Sequence, residues 1–241
     1  MSWTLALDTA TPTTVAGALG RSPDAAAGAR ETPAPGARPD HTRRLLPLAR
    51  RALAEAGGAL EAVDRIVVGL GPGTFTGIRV GVSSARALGL GLGTEVVGTP
   101  TPAALAAAAL GDRPGGAPSP GAAPVLVVQD ARRRELFLTL AGPGDLRDGG
   151  AGLLPAAVPI ADLEAALAAL PVRPGLAVGD GAATHRDALV AAGVPVPEDP
   201  SAHEVDGVVL AGLGRRVAAR GPQAVRPVYV RGADAIPTAQ R

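Results

Sequence analysis

The sequence predicts an α/β protein built of two related lobes, and three observations carry that expectation. Short apolar runs of strand length alternate with stretches whose apolar residues recur at helical spacing. The order of these elements repeats along the chain. A Gly- and Pro-rich stretch, Asp112 to Pro124, separates the two series. At 241 residues the chain exceeds the usual single-domain length, so one large domain or two modest ones can bury a core. Two are expected, 1–111 and 112–241, with a return of the terminal segment to the first lobe left open.

In the first series, residues 3–7 form an apolar run ending in Asp8, and residues 14–19 form a second. Thr11-Pro12-Thr13 lies between them, which reads as a hairpin. Residues 21–40 are polar and Pro-rich and read as a loop, with a weak strand as the alternative. From His41 to Ala56, Leu45, Leu46, Ala49, Ala52, Leu53 and Ala56 recur at helical spacing, and Gly57-Gly58 supplies the stop. Pro47 requires this helix to open near Arg44 or to kink, because an interior proline loses a hydrogen bond and clashes with the preceding turn. Residues 65–69 read as a buried strand, Gly-Pro-Gly-Thr-Phe-Thr-Gly at 71–77 as a tight loop, and the residues through about Leu92 as a helix. Residues 95–97 give another strand and the Ala-rich run 102–110 another helix.

In the second series, residues 125–129 form a strand ending in Asp130, followed by a charged turn and a strand at 135–140. A helix around 163–170, a strand at 176–178, the loop Gly179-Asp180-Gly181 and a helix to about Ala192 complete it. Asp130 thus mirrors Asp8, and the second Gly loop mirrors Gly71-Pro72-Gly73. Two such lobes facing a cleft form the architecture of actin, sugar kinases and chaperone ATPases. The expected fold class is therefore α/β, the actin-like ATPase (ASKHA) fold, in which the Asp hairpins and Gly loops converge on a nucleotide. Fold alone assigns no function.

Composition narrows the classes. Hydrophobic residues make up 46% of the chain and aromatics 2%, so the core must be Ala, Val and Leu packed at close range. Lys+Arg is 23 against Asp+Glu 22, with every cation an arginine, and a balance this even does not advertise a nucleic-acid face. The absence of cysteine excludes disulfides, thiolate metal sites and a cysteine nucleophile, and fits the cytosol. The N-terminal residues lack a basic segment and reach Asp8 too soon for a signal peptide. Residues 88–92 are too short and Gly-broken to span a bilayer, so no membrane partner is expected.

The strings L-A-L-D-T-A-T from residue 5, H-T-R-R-L-L-P-L from 41 and G-P-G-T-F-T-G-I-R-V-G from 71, in this order and spacing, resemble the TsaB family. V-V-Q-D-A-R-R-R-E-L-F from 127, V-G-D-G-A from 178 and P-V-Y-V-R at 227–231 extend the resemblance over most of the chain. It implies a non-catalytic, cytoplasmic dimerisation subunit of the machinery that places a threonylcarbamoyl group on an adenosine beside the tRNA anticodon. The implied partners are a TsaD-like catalytic subunit and a TsaE-like ATPase, with tRNA met only through the complex. The alternative is a free-standing actin-like ATPase or small-molecule kinase, which needs a phosphate cradle in both lobes.

TsaD-like proteins hold a metal through two His four residues apart, a spacing that puts both rings on one helix face. The corresponding segment here is Gly98-Thr99-Pro100-Thr101-Pro102 followed by alanines. His41, His185 and His203 have no spaced partner, so no metal and no cofactor are expected.

The candidate nucleotide-binding residues are Asp8, Thr9, Thr11, Gly71, Gly73, Gly179 and Gly181. Asp8, Thr9 and Thr11 have the residue types of a phosphate-binding hairpin, in which amides and hydroxyls meet phosphate and the carboxylate reaches a magnesium-bound water. The competing reading is that they stabilise a tight turn. The second hairpin, Asp130-Ala131-Arg132, lacks Gly and Thr, and Asp180 would repel phosphate while still able to accept from a ribose hydroxyl.

Gly77, Gly81, Ala85, Gly89 and Gly93 recur every four residues and line one helix edge with almost no side chain. Each glycine costs roughly 1 kcal/mol relative to alanine, so another backbone must pack close, in this chain's own core or in a partner. The resemblance implies that this helix and the preceding one join two partner helices in a bundle. Leu45, Leu46, Leu53, Gly77, Ile78, Gly81, Val82, Ala85 and Gly89 are the expected interface, flanked by Arg43, Arg44, Arg50, Arg51, Arg79 and Arg86. Such a face also favours a homodimer when no partner is present.

Overall fold

The computed structural model describes residues 2–34, 36–114, 116, 121–219 and 221–230. Arg231 of the terminal string, and residues 115 and 117–120 of the expected linker, lie outside the described residues.

Two sheets organise the chain. The first has the order β3-β2-β1-β4-β5, from β1 (Trp3–Asp8), β2 (Thr14–Leu19), β3 (Ala26–Glu31), β4 (Val63–Gly69) and β5 (Glu95–Thr99). β1 is antiparallel to β2 and parallel to β4, and β4 is parallel to β5. The second has the order β8-β7-β6-β9, from β6 (Val125–Arg132), β7 (Glu135–Ala141), β8 (Ala156–Pro159) and β9 (Leu176–Val178). β6 is antiparallel to β7 and parallel to β9. Each sheet thus has a hairpin whose first strand also pairs in parallel with a later one, the duplication read from the sequence.

Helices cover both faces of the first sheet, and for that reason β1 and β2 are apolar along their length and buried throughout. On one face lie α1 (His41–Glu55) and α2 (Phe75–Leu92), whose Leu45, Leu53, Ile78 and Ala85 pack with Leu5, Leu7 and Ile66. On the other lie α3 (Thr101–Ala109) and α7 (Gly207–Gly214). These two share one core with Val67 and Val97 of the first sheet and Val125, Val127 and Val178 of the second. The far side of the second sheet packs on α4 (Leu163–Ala168), α5 (Asp180–Thr184) and α6 (Arg186–Ala191) through Leu163, Ala182 and Leu189.

Local chemistry explains the ends of α2. Thr74 is its N-cap, with Oγ1 accepting the Gly77 N–H at 3.2 Å, and Gly93 closes it in the left-handed region at φ +65°. Asp206 caps α7 by accepting from the N–H groups of Val208 and Val209.

Several expectations change. Residues 26–31 form a full edge strand, paired from Thr14↔Glu31 to Leu19↔Ala26. α1 opens at His41 and runs unbroken through Pro47. Pro47 is exposed, on the side of the helix away from the core. The helix after Gly179-Asp180-Gly181 divides at His185 into α5 and α6. β8 and α7 are additions to the expected elements.

α7 meets the first sheet where neither side has a side chain. A Cβ on Gly17 would lie 2.1 Å from the carbonyl carbon and oxygen of Gly207, and one on Gly207 2.5 Å from the Ala16 oxygen. Gly17→Ala should therefore destabilise the isolated chain by about 1–3 kcal/mol or more, because the obstacle is main chain. Chemical denaturation would register this as a lower midpoint with an unchanged slope.

Candidate functional site

The first-lobe candidates gather into an interlocked cluster. Asp8 ends β1 and is fully buried. Its Oδ1 accepts the Ala10 N–H at 2.8 Å and its Oδ2 the Thr101 hydroxyl at 2.7 Å. Thr101 Oγ1 in turn accepts the Gly71 N–H at 3.1 Å. The Thr9 hydroxyl donates to the Gly77 carbonyl at 2.7 Å, and the Thr74 N–H to the Ala10 carbonyl at 3.0 Å. Thr11 is buried and its hydroxyl turns toward the Thr13 carbonyl at 3.4 Å. A Cβ on Gly73 would meet the Ala10 oxygen at 2.1 Å. Two hydrogen bonds therefore tie the hairpin turn directly to the 71–77 loop, and Thr101 of α3 joins Asp8 to Gly71.

Burial raises the Asp8 carboxyl to about 6, against the two hydrogen bonds from Ala10 and Thr101 that lower it. Both of its oxygens are engaged inside the chain.

The second-lobe candidates make a separate clasp. Gly179 has φ +107°, and a Cβ there would sit 2.3 Å from the Val128 oxygen. Asp180 Oδ1 accepts from Gly181 N–H at 3.0 Å and Asp130 N–H at 3.2 Å, and burial raises its carboxyl pKa. Asp180 thus ties α5 to the β6 turn. Asp130 pairs with Arg132 at 3.0 Å and accepts its N–H at 2.7 Å. The hairpin turn holds Arg132, Arg133 and Arg134 all at positive φ, 63°, 56° and 63°.

Between the two Gly loops lies Gln129, a residue the motifs did not single out. Its Nε2 donates to the Pro72 carbonyl at 3.3 Å, and its buried Oε1 has no hydrogen-bond partner. A groove of about 660 Å³ opens beside Leu70, Gly71 and Pro72, with Val97, Leu153, Leu154, Val225 and Val228 among its walls. Of the expected nucleotide residues it includes Gly71 alone. Among the described residues no three His, Asp or Glu lie together as a metal site. His41 Nδ1 is 2.8 Å from Thr14 Oγ1, and His203 Nε2 donates to the Pro197 carbonyl at 2.9 Å.

On the helix pair, most of the expected interface residues lie inside the chain. Leu45, Leu53, Ile78, Val82 and Ala85 are buried in this chain's own core. Gly77 and Gly81 abut Thr9, and Gly89 abuts Val96. The small-residue stripe therefore faces the first sheet. Leu46 is the one expected anchor left exposed, at 43%. The outward side of the pair instead presents Leu46, Phe75 and Leu90. Phe75 stands beside Tyr229, with ring centroids 5.6 Å apart, and the Arg79 guanidinium lies 3.6 Å over the Phe75 ring. Tyr229 reaches this point because Val228 N–H donates to the Leu70 carbonyl at 2.9 Å.

Comparison with known proteins agrees with the motifs. The family model described as TsaD, tRNA N6-adenosine threonylcarbamoyltransferase, matches residues 34–219. Uncharacterized protein Rv3421c of Mycobacterium tuberculosis is 35% identical over 240 residues, covering 99% of this chain and 96% of that protein. The tRNA threonylcarbamoyladenosine biosynthesis protein TsaB of Escherichia coli is 32% identical over 98 residues, 41% of this chain and 39% of that protein. The solved structure of YeaZ from Pseudomonas aeruginosa superposes with a TM-score of 0.65 at 27% identity, covering 95% of this chain and 100% of that one. The chain belongs to this family, in its TsaB branch, and has the actin-like ATPase fold.

The cluster generates a pH dependence. The folded value of Asp8, about 6, lies above its ordinary 3.8, so the native state holds this proton more tightly and stability falls as pH rises between the two values. The shift corresponds to roughly 3 kcal/mol. Asp8→Asn should remove that component, so the wild-type minus variant unfolding free energy should decline from pH 4 to pH 7, as read by denaturant titration. Ala85→Leu should lower the thermal midpoint of the isolated chain by overpacking, at about 1–3 kcal/mol.

Proposed function

We propose that this TsaB-branch chain acts as a non-catalytic dimerisation and scaffold subunit in forming threonylcarbamoyladenosine on tRNA, by binding a TsaD-like catalytic subunit. The observation that carries this reading is the inward engagement of the nucleotide-type residues. Asp8, Thr9 and Asp180 are satisfied by the chain's own amides, hydroxyls and carbonyls. A phosphate or hydrated magnesium would have to displace them. The outward side of α1 and α2 meanwhile carries exposed apolar and arginine side chains, the composition of a contact surface. A TsaE-like ATPase completes the proposed complex, and tRNA is met through it. Catalysis then belongs to the partner, and this chain contributes by holding it. The filled cluster argues equally against a free-standing ATPase or kinase, which must open both loops to phosphate.

A reconstituted assay with tRNA and a threonylcarbamoyl donor tests this. The chain alone should transfer nothing, and its addition to the TsaD-family protein of the same genome should restore transfer. Leu46→Asp, on the exposed side of α1, should weaken association by about tenfold or more while leaving the thermal midpoint in place. Transfer by the chain alone, or unchanged partner activity on its addition, would overturn the reading.

A further inference from the structure

The groove beside Leu70, Gly71 and Pro72 combines apolar walls with an open strand edge. β5 is the edge strand of its sheet and pairs in parallel with β4 on one side only. The Thr99 carbonyl accepts the Leu70 N–H at 2.9 Å. Backbone groups alternate along a strand, so Val97 and Thr99 face β4, and Gly98 between them turns its N–H and C=O outward, into the groove that it lines. Among the described residues neither group has a hydrogen-bond partner. Gly98 is half-buried, and a Cβ there would lie 2.5 Å from Leu70 Cδ2, so the edge is bare of side chain at this point.

Two further segments build the walls. One is the terminal stretch 224–228, with Val225 buried and Val228 fixed by the hydrogen bond from its N–H to the Leu70 carbonyl at 2.9 Å. The other comes from residues 148–155, with Leu153 buried and Leu154 88% exposed at the rim. Each of these segments brings one charge to the lining, Arg226 in the first and Asp148 in the second. Both are exposed, and neither side chain has an ion pair or hydrogen bond among the described residues. Arg216, the other charged residue of the lining, is spent on Asp112 through two bonds of 2.6 Å.

We propose that this groove takes an extended segment of a partner protein as an added strand. The segment hydrogen-bonds its main chain to Gly98, seats an apolar side chain against Val97, Leu153 and Val225, and meets Arg226 and Asp148 with one acidic and one basic residue. Apolar walls alone would suit any apolar molecule. The Gly98 groups narrow the choice, because an apolar ligand that dried the groove would remove their water and return no hydrogen bond. An extended main chain offers them an acceptor and a donor, while its side chains alternate between the trough and the rim. The opposite charges on the two walls then select one direction for the segment. The groove is separate from the outward side of α1 and α2, so the inference stands apart from the scaffold reading.

The test uses the full chain and a phage-displayed library of random heptapeptides. Panning should enrich segments with an apolar centre flanked by an acid on one side and a base on the other, in a single order. With one such peptide synthesised, Arg226→Glu and Leu154→Ser should each weaken its binding by about tenfold or more, as should N-methylation of its central amides. Arg21→Ala, at the opposite end of the first sheet, should bind as the wild type does. Thermal midpoints should be unchanged in all three variants. Hydrogen exchange of the Gly98 amide, followed by NMR, should slow when the peptide binds. No enrichment, wild-type affinity in Arg226→Glu and Leu154→Ser, or a Gly98 amide that exchanges as fast with peptide as without it would overturn the inference. Tighter binding of a fatty alcohol than of the peptide would overturn it in favour of an apolar small molecule. Self-association of the chain that is lost in Leu154→Ser would overturn it in favour of a second copy.

Discussion

Close approach of backbone to backbone is the constraint on which the rest of this structure depends. With aromatics at 2% of the sequence, apolar burial cannot come from large rings and must come from many small contacts. The crossings of Gly17 with Gly207, Gly73 with Ala10, Gly77 with Thr9 and Gly179 with Val128 each place a Cβ position within 2.5 Å of main-chain atoms. A side chain in the way can rotate, whereas main chain moves only with its element. These few points therefore set where the hairpin, the loops and α7 lie relative to each other, and Val and Leu fill the space that remains.

The same closeness gives the phosphate-type motifs a structural task. Burying a carboxylate is unfavourable unless donors compensate it. Asp8 has two donors and is still shifted upward by burial. Its carboxyl joins the end of β1 to the start of α3 and, through Thr101, to the loop at Gly71. Asp180 does the equivalent in the second lobe by gathering the amides of Asp130 and Gly181. Gln129 then connects the two at Pro72. A set of residues suited to cradling a ligand holds three loops and two lobes in register.

What the sequence revealed, and what it concealed, follows from the kind of signal each element emits. β1, the 66–69 part of β4 and the 125–128 part of β6 are buried on both faces, so they read as apolar runs. β3, Ala-Ala-Gly-Ala-Arg-Glu, has little intrinsic strand preference and exists because the outer edge of β2 offers its full ladder. α7 lies between the first sheet and α3 and is apolar on all sides, so it lacks the one-sided periodicity that marks a surface helix. The stripe from Gly77 to Gly89 announces a close backbone neighbour in the sequence, yet its spacing is the same whether that neighbour is internal or external. Only burial against Val68 and Val96 decides it. Thr101, Gln129 and Tyr229 act through partners 93, 57 and 150 residues away, separations over which no local pattern extends.

The placement of α7 bears on how the chain is made. One face of the first sheet, whose strands are complete by Thr99, is covered by a helix that begins at Gly207. A ribosome adds residues one direction only, at a pace slow compared with local folding. Throughout the synthesis of the second lobe, the inner surface of the first therefore waits with α3 but without α7. Val67, against which Gly214 packs, stays open to the nascent chain's surroundings until α7 emerges. The first lobe becomes a finished folding unit only after the second has been translated, so completion of its core is timed by the emergence of α7.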